Sequence, residues 1–371
     1  MAAAALQIFA GPLAREHIRQ SGLNPQDIHA IAGAAGGPKG LILGPLDRHI
    51  FGHWLAGAQP QARPPVHLIG ASIGAWRMAS ACLPDPVQGL LDLEAAYIAQ
   101  DYPPGPKGKR PDAATVSRLF ARQLAGHMGA ETTGLAWTQP VRYALHLVTS
   151  RGLGALKDPG RAAMALGYGA AWAANAVNRR HLGRWLRRTV FSSAGAALPF
   201  LENAPGDLST DRVTLNDTNA LDALRASCSI PFVLEPVRDI AGSPPGAHWD
   251  GGITDYHLRL PWTAGQNGHA PIVLVPHFQP TMVPGWLDKP WRRRHRSDAP
   301  MDRVVLLCPS PAWVARLPGG KLPDRQDFAT YAIDTPARQQ AWRTAVAMSQ
   351  QLADAWDAWL QRPDVDRVQP L

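Results

Sequence analysis

The stretch Val66-His67-Leu68-Ile69-Gly70-Ala71-Ser72-Ile73-Gly74-Ala75-Trp76-Arg77-Met78-Ala79 reads as a strand, a tight turn and a helix. The small residues Gly70, Ala71 and Gly74 let the chain turn sharply enough to lift one hydroxyl, that of Ser72, at the head of a sheet. Such a serine is a candidate nucleophile. The Gly-x-Ser-x-Gly pattern is modest evidence alone, because a chain with 34 glycines produces one by chance about 0.1 times. The strand before it and the helix after it supply the context. The competing reading is a flexible Gly-Ser surface turn.

Working upstream, residues 12–22 read as a helix, with Pro12 near its start and Gly22 past its end. Residues 27–32 read as a short apolar strand. Gly33-Ala34-Ala35-Gly36-Gly37-Pro38-Lys39-Gly40 follows as a small-residue loop, and 41–55 carries apolar positions at helical spacing. Two successive strand–turn–helix units imply a mainly parallel sheet covered by helices, and hence an α/β fold built as a three-layer α/β/α sandwich.

Downstream, 84–185 carries few strand-like runs. Helical stretches near 87–99, 113–129 and 160–188 surround a Pro/Gly-rich basic loop at 102–111, so 101–185 reads as a helical insertion or cap. Strand signals return at 188–192, 212–215, 272–276 and 303–308, and a helix covers about 336–361. The expectation is a single domain over 1–371, with 280–371 as a C-terminal extension packed on the core. No internal repeat is visible.

Composition bounds the function. Apolar residues make up 46% of the 371 and charged residues 18%, enough to fill a sizeable core. The net charge of +8 permits anionic partners without establishing them. Cys82, Cys228 and Cys308 are odd in number and widely spaced, which suggests neither a disulfide framework nor a metal motif. No metal and no cofactor is expected. Residues 1–13 lack the basic start of a signal peptide, and no apolar run reaches 18 residues. The expected location is the cytoplasm, with peripheral membrane contact allowed.

An acyl-transfer site needs a nucleophile, a base and a place for the oxyanion. The 33–40 loop offers backbone N–H groups at a helix start, where the positive end of the helix dipole adds to them. Gly36 and Gly37 let an oxygen approach their amides closely, and Lys39 strengthens the positive field. A Walker-type phosphate loop would need Gly at 38 and Ser or Thr at 40, where Pro38 and Gly40 stand; no Gly-x-Gly-x-x-Gly occurs either. A plain tight connection is the remaining alternative. Trp249-Asp250-Gly251-Gly252 offers a carboxylate at a turn, although Asp-Gly is also an ordinary hairpin signal.

Taken in order, Gly36-Gly37-Pro38-Lys39-Gly40, Gly70-Ala71-Ser72-Ile73-Gly74, Ala226-Ser227-Cys228-Ser229-Ile230-Pro231 and Asp250-Gly251-Gly252 form a set that resembles the patatin-like phospholipase family. The resemblance covers roughly 27–100 and 186–275. It implies a Ser–Asp dyad without histidine: Ser72 as nucleophile, Asp250 as its base, and the amides of Gly36, Gly37 and Ile73 around the oxyanion. Lys39, Gly70, Gly74, Gly251 and Gly252 would support them. It implies carboxylic ester hydrolysis on lipid-like substrates, with acyl transfer, thioester cleavage or an inactive lipid-binding scaffold as alternatives. Two departures stand out: Ala35 replaces a frequent first glycine, and Ile253-Thr254-Asp255-Tyr256-His257 lacks the usual Asn-x-Pro. A weak carboxylate base requires burial to raise its pKa, so a buried Asp250 is expected.

A Ser-His-Asp triad on an α/β-hydrolase fold is the rival: His248 and His257 flank Asp250, and the order Ser…Asp…His is satisfied by His257 or His277. Two basic-aromatic stretches, 178–188 and 286–296, suit an anionic lipid interface or a plain solvated surface. No nucleic-acid module is evident, and the oligomeric state is not legible.

Overall fold

The computed structural model describes residues 4–57, 65–102, 111–129, 135–139, 142–158, 160–196, 198, 201, 208–262, 272–295, 301–331 and 334–371. Most of the loop expected at 102–111 and of the connector at 60–65, and Arg296, fall outside them.

Eleven strands among the described residues join one mixed sheet. They are β1 (Leu6–Ala10), β2 (Ile28–Gly33), β3 (Val66–Ala71), β4 (Tyr143–Gly152), β5 (Leu186–Ser193), β6 (Thr210–Leu215), β7 (Val237–Arg238), β8 (Ala247–Asp250), β9 (Ile272–Pro276), β10 (Val304–Pro309) and β11 (Val368–Pro370). The main path runs β11-β1-β10-β9-β2-β3-β4-β5-β6, with β8 on β4 and β7 on β8. The core pairings β10–β9–β2–β3–β4 are parallel. The fold is therefore α/β with a mostly parallel, mixed central sheet, compatible with a three-layer sandwich.

Period-2 side chains feed two separate cores. Ile31, Leu68, Leu147, Leu274 and Leu307 enter a cluster shared with the helices. Their neighbours Ala32, Ile69, Val148, Val275 and Leu306 enter a second cluster, closed by Leu258, Leu260, Trp262, Met282 and Met301. A sheet buried on both faces needs such near-continuous apolar strands. The helices that cover it include α1 (Pro12–Ser21), α2 (Gly44–His49), α3 (Ile73–Ala81), α4 (Pro86–Ala99), α5 (Ala113–His127), α6 (Arg161–Val177), α7 (Ala220–Ser227), α8 (Thr335–Met348) and α9 (Gln350–Gln361).

Two expectations need correction. Residues 101–185 are not a wholly helical insertion: β4, buried over its whole length, lies inside them and pairs with β3, β5 and β8. A strand buried on both faces shows no alternation, so Tyr143-Ala144-Leu145-His146-Leu147-Val148 gives no period-2 signal. Residues 280–371 are more than an extension packed on the core: β10 inserts between β1 and β9, and β11 closes one edge. The helix expected at 160–188 also stops early, at Val177. Asn178 takes an extended backbone and caps a short 3₁₀ turn, after which β5 begins. The helix at 336–361 divides at Ser349 into α8 and α9. No described helix is long and apolar enough to cross a membrane.

Candidate active site

Register brings the two distant motifs together. β3 runs parallel to β4 and ends with Ala71 opposite Val148. β8 runs the other way and ends with Asp250 opposite Thr149, one residue further along β4. Since β5 fills the other edge of β4 from His146 to Gly152, β3 and β8 share one edge and meet end to end. Ser72 follows the end of β3, and Asp250 closes β8. Ser72 Oγ donates to Asp250 Oδ2 at 2.6 Å. Both lie at the carboxyl ends of the parallel strands, where open α/β sheets form their crevices.

Ser72 has φ 57° and ψ −130°, a left-side conformation that non-glycine residues seldom adopt. Such strain costs on the order of 1–3 kcal/mol and persists only where surroundings over-determine it. Here the Ser72 amide donates to Ser227 Oγ at 3.0 Å, and Ser227 Oγ donates to the Val148 carbonyl at 2.7 Å. The Ser72 side chain does not cap α3, so its proton is directed to Asp250. α3 can start this close to β2 because Gly74 faces Gly33: a Cβ on Gly74 would sit 1.8 Å from the Gly33 carbonyl oxygen. Gly70, beside Ala75, and Gly251, beside the Val148 carbonyl, are as tightly enclosed.

Asp250 is fixed at both oxygens, since its Oδ1 accepts the Gly252 amide at 2.7 Å. Its own amide donates to the Ser229 carbonyl, and its carbonyl accepts Ser150 Oγ. Burial pushes the Asp250 carboxyl above its ordinary value; nearby Arg325 and the hydrogen bonds from Ser72 and Gly252 oppose that rise. A buried carboxylate held this way is a stronger base than a solvated one.

The pair opens into a cavity of about 270 Å³ whose wall includes Gly36, Lys39, Ser72, Asp250, Gly252 and Tyr256. Gly36 precedes a 3₁₀ turn over Gly37–Leu43, and Ile73 is the first residue of α3. The first amides of a helix lack intrahelical partners, so Gly37 and Ile73 sit where free N–H groups arise. Gly37 takes φ +58°, with Arg325 Nε 3.2 Å from where a Cβ would lie. The Ala35 amide is already donated to the Tyr256 carbonyl at 2.8 Å, so it is no oxyanion donor. Lys39 lies 5.3 Å from the centre of the Phe278 ring, and burial lowers its pKa.

The histidines lie elsewhere. His248 bonds Thr149 Oγ1 and Ser243 Oγ. His257 Nδ1 lies between the Thr281 carbonyl and the Val283 amide, and His277 Nδ1 lies 2.6 Å from the Gln279 carbonyl. Burial holds all three rings neutral: His248 falls to about 4 and His277 to about 3, while His257 drops well below its ordinary value. None lines the cavity. Among the described residues no group of three His, Cys, Asp or Glu side chains could hold a metal ion.

Arg325, Lys289, Tyr256 and Trp286 also line the wall; Trp286 and Lys289 belong to the 286–296 basic-aromatic stretch and Tyr256 to the segment after Asp250, while Arg325 carries no motif in the sequence. Arg325 comes from the 280–371 region, which matched no pattern. Ser227 was visible as part of the Ala226-Ser227 segment, but its bond to the Ser72 amide was not.

No known protein-family model and no curated protein matches this chain.

The two basic-aromatic stretches are stapled to each other. Asp288, fully buried, pairs with Arg179 at 2.6 Å and Arg294 at 2.7 Å and accepts from Asn175 Nδ2. Trp172 stacks on Trp291. Arg188 is buried against Asp255 at 2.6 Å. Several of these arginines therefore hold the fold rather than face solvent.

Proposed function

We propose that this chain is a patatin-like serine acyl hydrolase that cleaves carboxylic esters of lipid-like substrates through an acyl-enzyme on Ser72. The observation that carries the reading is the 2.6 Å bond from Ser72 Oγ to a buried, doubly anchored Asp250 at the wall of a cavity. As Ser72 Oγ attacks the ester carbonyl, its proton passes to Asp250 Oδ2 and an Oγ–C bond forms. Negative charge builds on the carbonyl oxygen, toward the Gly36, Gly37 and Ile73 amides. Collapse breaks the bond to the alcohol, which leaves with the proton from Asp250. Water then attacks the acyl-enzyme and gives its proton to Asp250; the Oγ–C bond breaks, the acid leaves, and Asp250 returns that proton to Ser72 Oγ.

The test is mass spectrometry after a fluorophosphonate probe, beside hydrolysis of a p-nitrophenyl ester. A label on Ser72 and its loss in S72A support the reading. A folded, unlabelled protein, or full activity in S72A, overturns it. Loss of activity in H248A, H257A or H277A with the fold intact would restore the triad.

A peripheral contact with anionic lipid surfaces joins this proposal. Residues 162–177 of α6 contain no charged side chain, and Leu166 and Val177 are 76% and 75% exposed. Exposed Phe232, beside Tyr168 of α6, follows the cavity-lining Ile230-Pro231. Exposed Arg184, Arg292 and Arg293 lie in the segments joined to this helix, a basic rim suited to phosphate headgroups.

A further inference from the structure

Three cations line the cavity: Lys39 on the 37–43 turn, Lys289 after the 286–288 turn, and Arg325 from the C-terminal region. Among the described residues none of them has a carboxylate within ion-pair distance. Elsewhere several inward-facing arginines are paired, Arg77 with Asp47, Arg188 with Asp255, Arg179 and Arg294 with Asp288, while buried Arg338 rests on the Phe328 and Trp342 rings. The wall's own carboxylates are committed. Asp250 holds Ser72 and Gly252, and Asp324 holds Lys321 at 3.0 Å and the Gln326 amide at 2.8 Å.

Position makes the cluster more than a basic surface. The guanidinium of Arg325 lies against the backbone of Gly37, with Nε 3.2 Å and Nη2 3.7 Å from where its Cβ would be. Lys289 Nζ rests 4.1 Å from the centre of the Tyr256 ring, on the cavity wall. Burial and the charges of Arg325 and Lys39 lower Lys289 to about 8, against the opposing pull of Asp250, and Asp324 acts on Lys39 in the same sense. A guanidinium beside two ammonium groups is a recognition set for phosphate or carboxylate oxygens.

We propose that Arg325, Lys289 and Lys39 form an anion clamp that selects esters carrying a phosphate or carboxylate close to the scissile carbonyl, with Arg325 as its specificity-determining residue. This rests on the acyl-hydrolase reading, because the clamp is placed relative to Ser72. The shared chemistry is an oxyanion on the substrate. Its source is either a headgroup phosphate on the alcohol side or a free carboxylate at the far end of the acyl chain.

Matched substrates separate these sources. The full chain is assayed on dibutyroyl glycerol with and without a 3-phosphate, and on p-nitrophenyl butyrate against mono-p-nitrophenyl succinate. The wild type is expected to favour one charged member of a pair by about tenfold or more. R325Q and K289Q should reduce that preference by about 10–100-fold, as loss of a charge-assisted hydrogen bond does, and R325K should restore part of it. No preference in the wild type overturns the clamp. So does an equal fall on charged and neutral esters in R325Q, which would make Arg325 a counter-ion of Asp250. Titration with inorganic phosphate followed by calorimetry reads the clamp without turnover. Where Ser72 takes no fluorophosphonate label and no hydrolysis can be read, phosphate binding that weakens in R325Q supports the clamp, and absent binding removes it.

Discussion

Ser227 Oγ accepts a hydrogen bond from the backbone amide of Ser72 at 3.0 Å and donates its own to the Val148 carbonyl at 2.7 Å. One hydroxyl from α7 thus ties the strained turn after β3 to the adjacent strand β4. The amide it satisfies belongs to a residue at φ 57°. Without that anchor the turn has a cheaper backbone conformation to fall into. S227A leaves a buried donor and a buried acceptor unmatched, which costs about 1–3 kcal/mol. The expected result is a lower denaturation midpoint together with a fall in kcat larger than any change in KM. S227T, which keeps the hydroxyl, should recover part of kcat; a stability loss with kcat intact would make Ser227 purely structural.

Asp250 carries opposite signs for stability and activity. Its folded pKa lies above its unfolded value because burial disfavours the charge. Its contribution to stability is therefore present below the unfolded carboxylate pKa and lost as pH rises through the folded one. D250N should be as stable as the wild type or more stable at neutral pH, with the difference shrinking on acidification. Ester hydrolysis in D250N should fall by about 10³-fold or more. Wild-type kcat/KM should fall with acid as Asp250 takes its proton, with the midpoint above the ordinary carboxylate range. Thermal melts and pH–rate profiles of both proteins check these signs.

Lys289 predicts an alkaline limb for charged substrates alone. Its pKa is lowered to about 8 by burial and by Arg325 and Lys39, while Asp250 opposes the shift; Tyr256 is the other titratable group in contact. As pH rises through about 8, the ammonium becomes neutral and the clamp loses one charge. The ratio of kcat/KM for the phosphate ester to that for its neutral match should drop across this range. In K289Q the ratio should be flat there.

Asp47 on α2 and Arg77 on α3 pin the helix beyond the 33–40 loop to the helix that follows Ser72. Arg77 Nε and Nη2 donate to the two Asp47 oxygens at 2.6 and 2.7 Å, with both residues almost wholly buried. Removing one partner strands a buried charge, which costs about 3–5 kcal/mol. D47N should lower the urea midpoint accordingly, and the apolar pair D47L/R77M should recover most of the loss.

The apolar face of α6 should hold the protein on lipid. L166S and V177S change two side chains that are about three-quarters exposed, so folding should be unaffected. Co-sedimentation with vesicles of mixed neutral and anionic phospholipid should weaken in both variants. Equal binding to neutral and anionic vesicles would count against the arginine rim.

The local pieces of the site are legible in the chain. Val66–Ile69 before Ser72 and the helical run after it announce a strand, a turn and a helix, because a tight turn needs small residues and each element has its own period. Gly36-Gly37 and Asp250-Gly251 are legible for the same reason. β4 was not, since a strand buried on both faces has no alternation to read. Arg325 was not, since a single arginine in an irregular segment carries no pattern.

The sequence by itself determined that Ser72 would stand at a strand-to-helix turn, with glycines upstream and a carboxylate downstream. Only the tertiary structure decided that they meet. The end of β3 opposite Val148 and the end of β8 opposite Thr149 place Ser72 and Asp250 head to head on one edge of β4. Hydrogen-bond register between strands far apart in the chain sets that meeting, and register depends on a partner that local propensity cannot name.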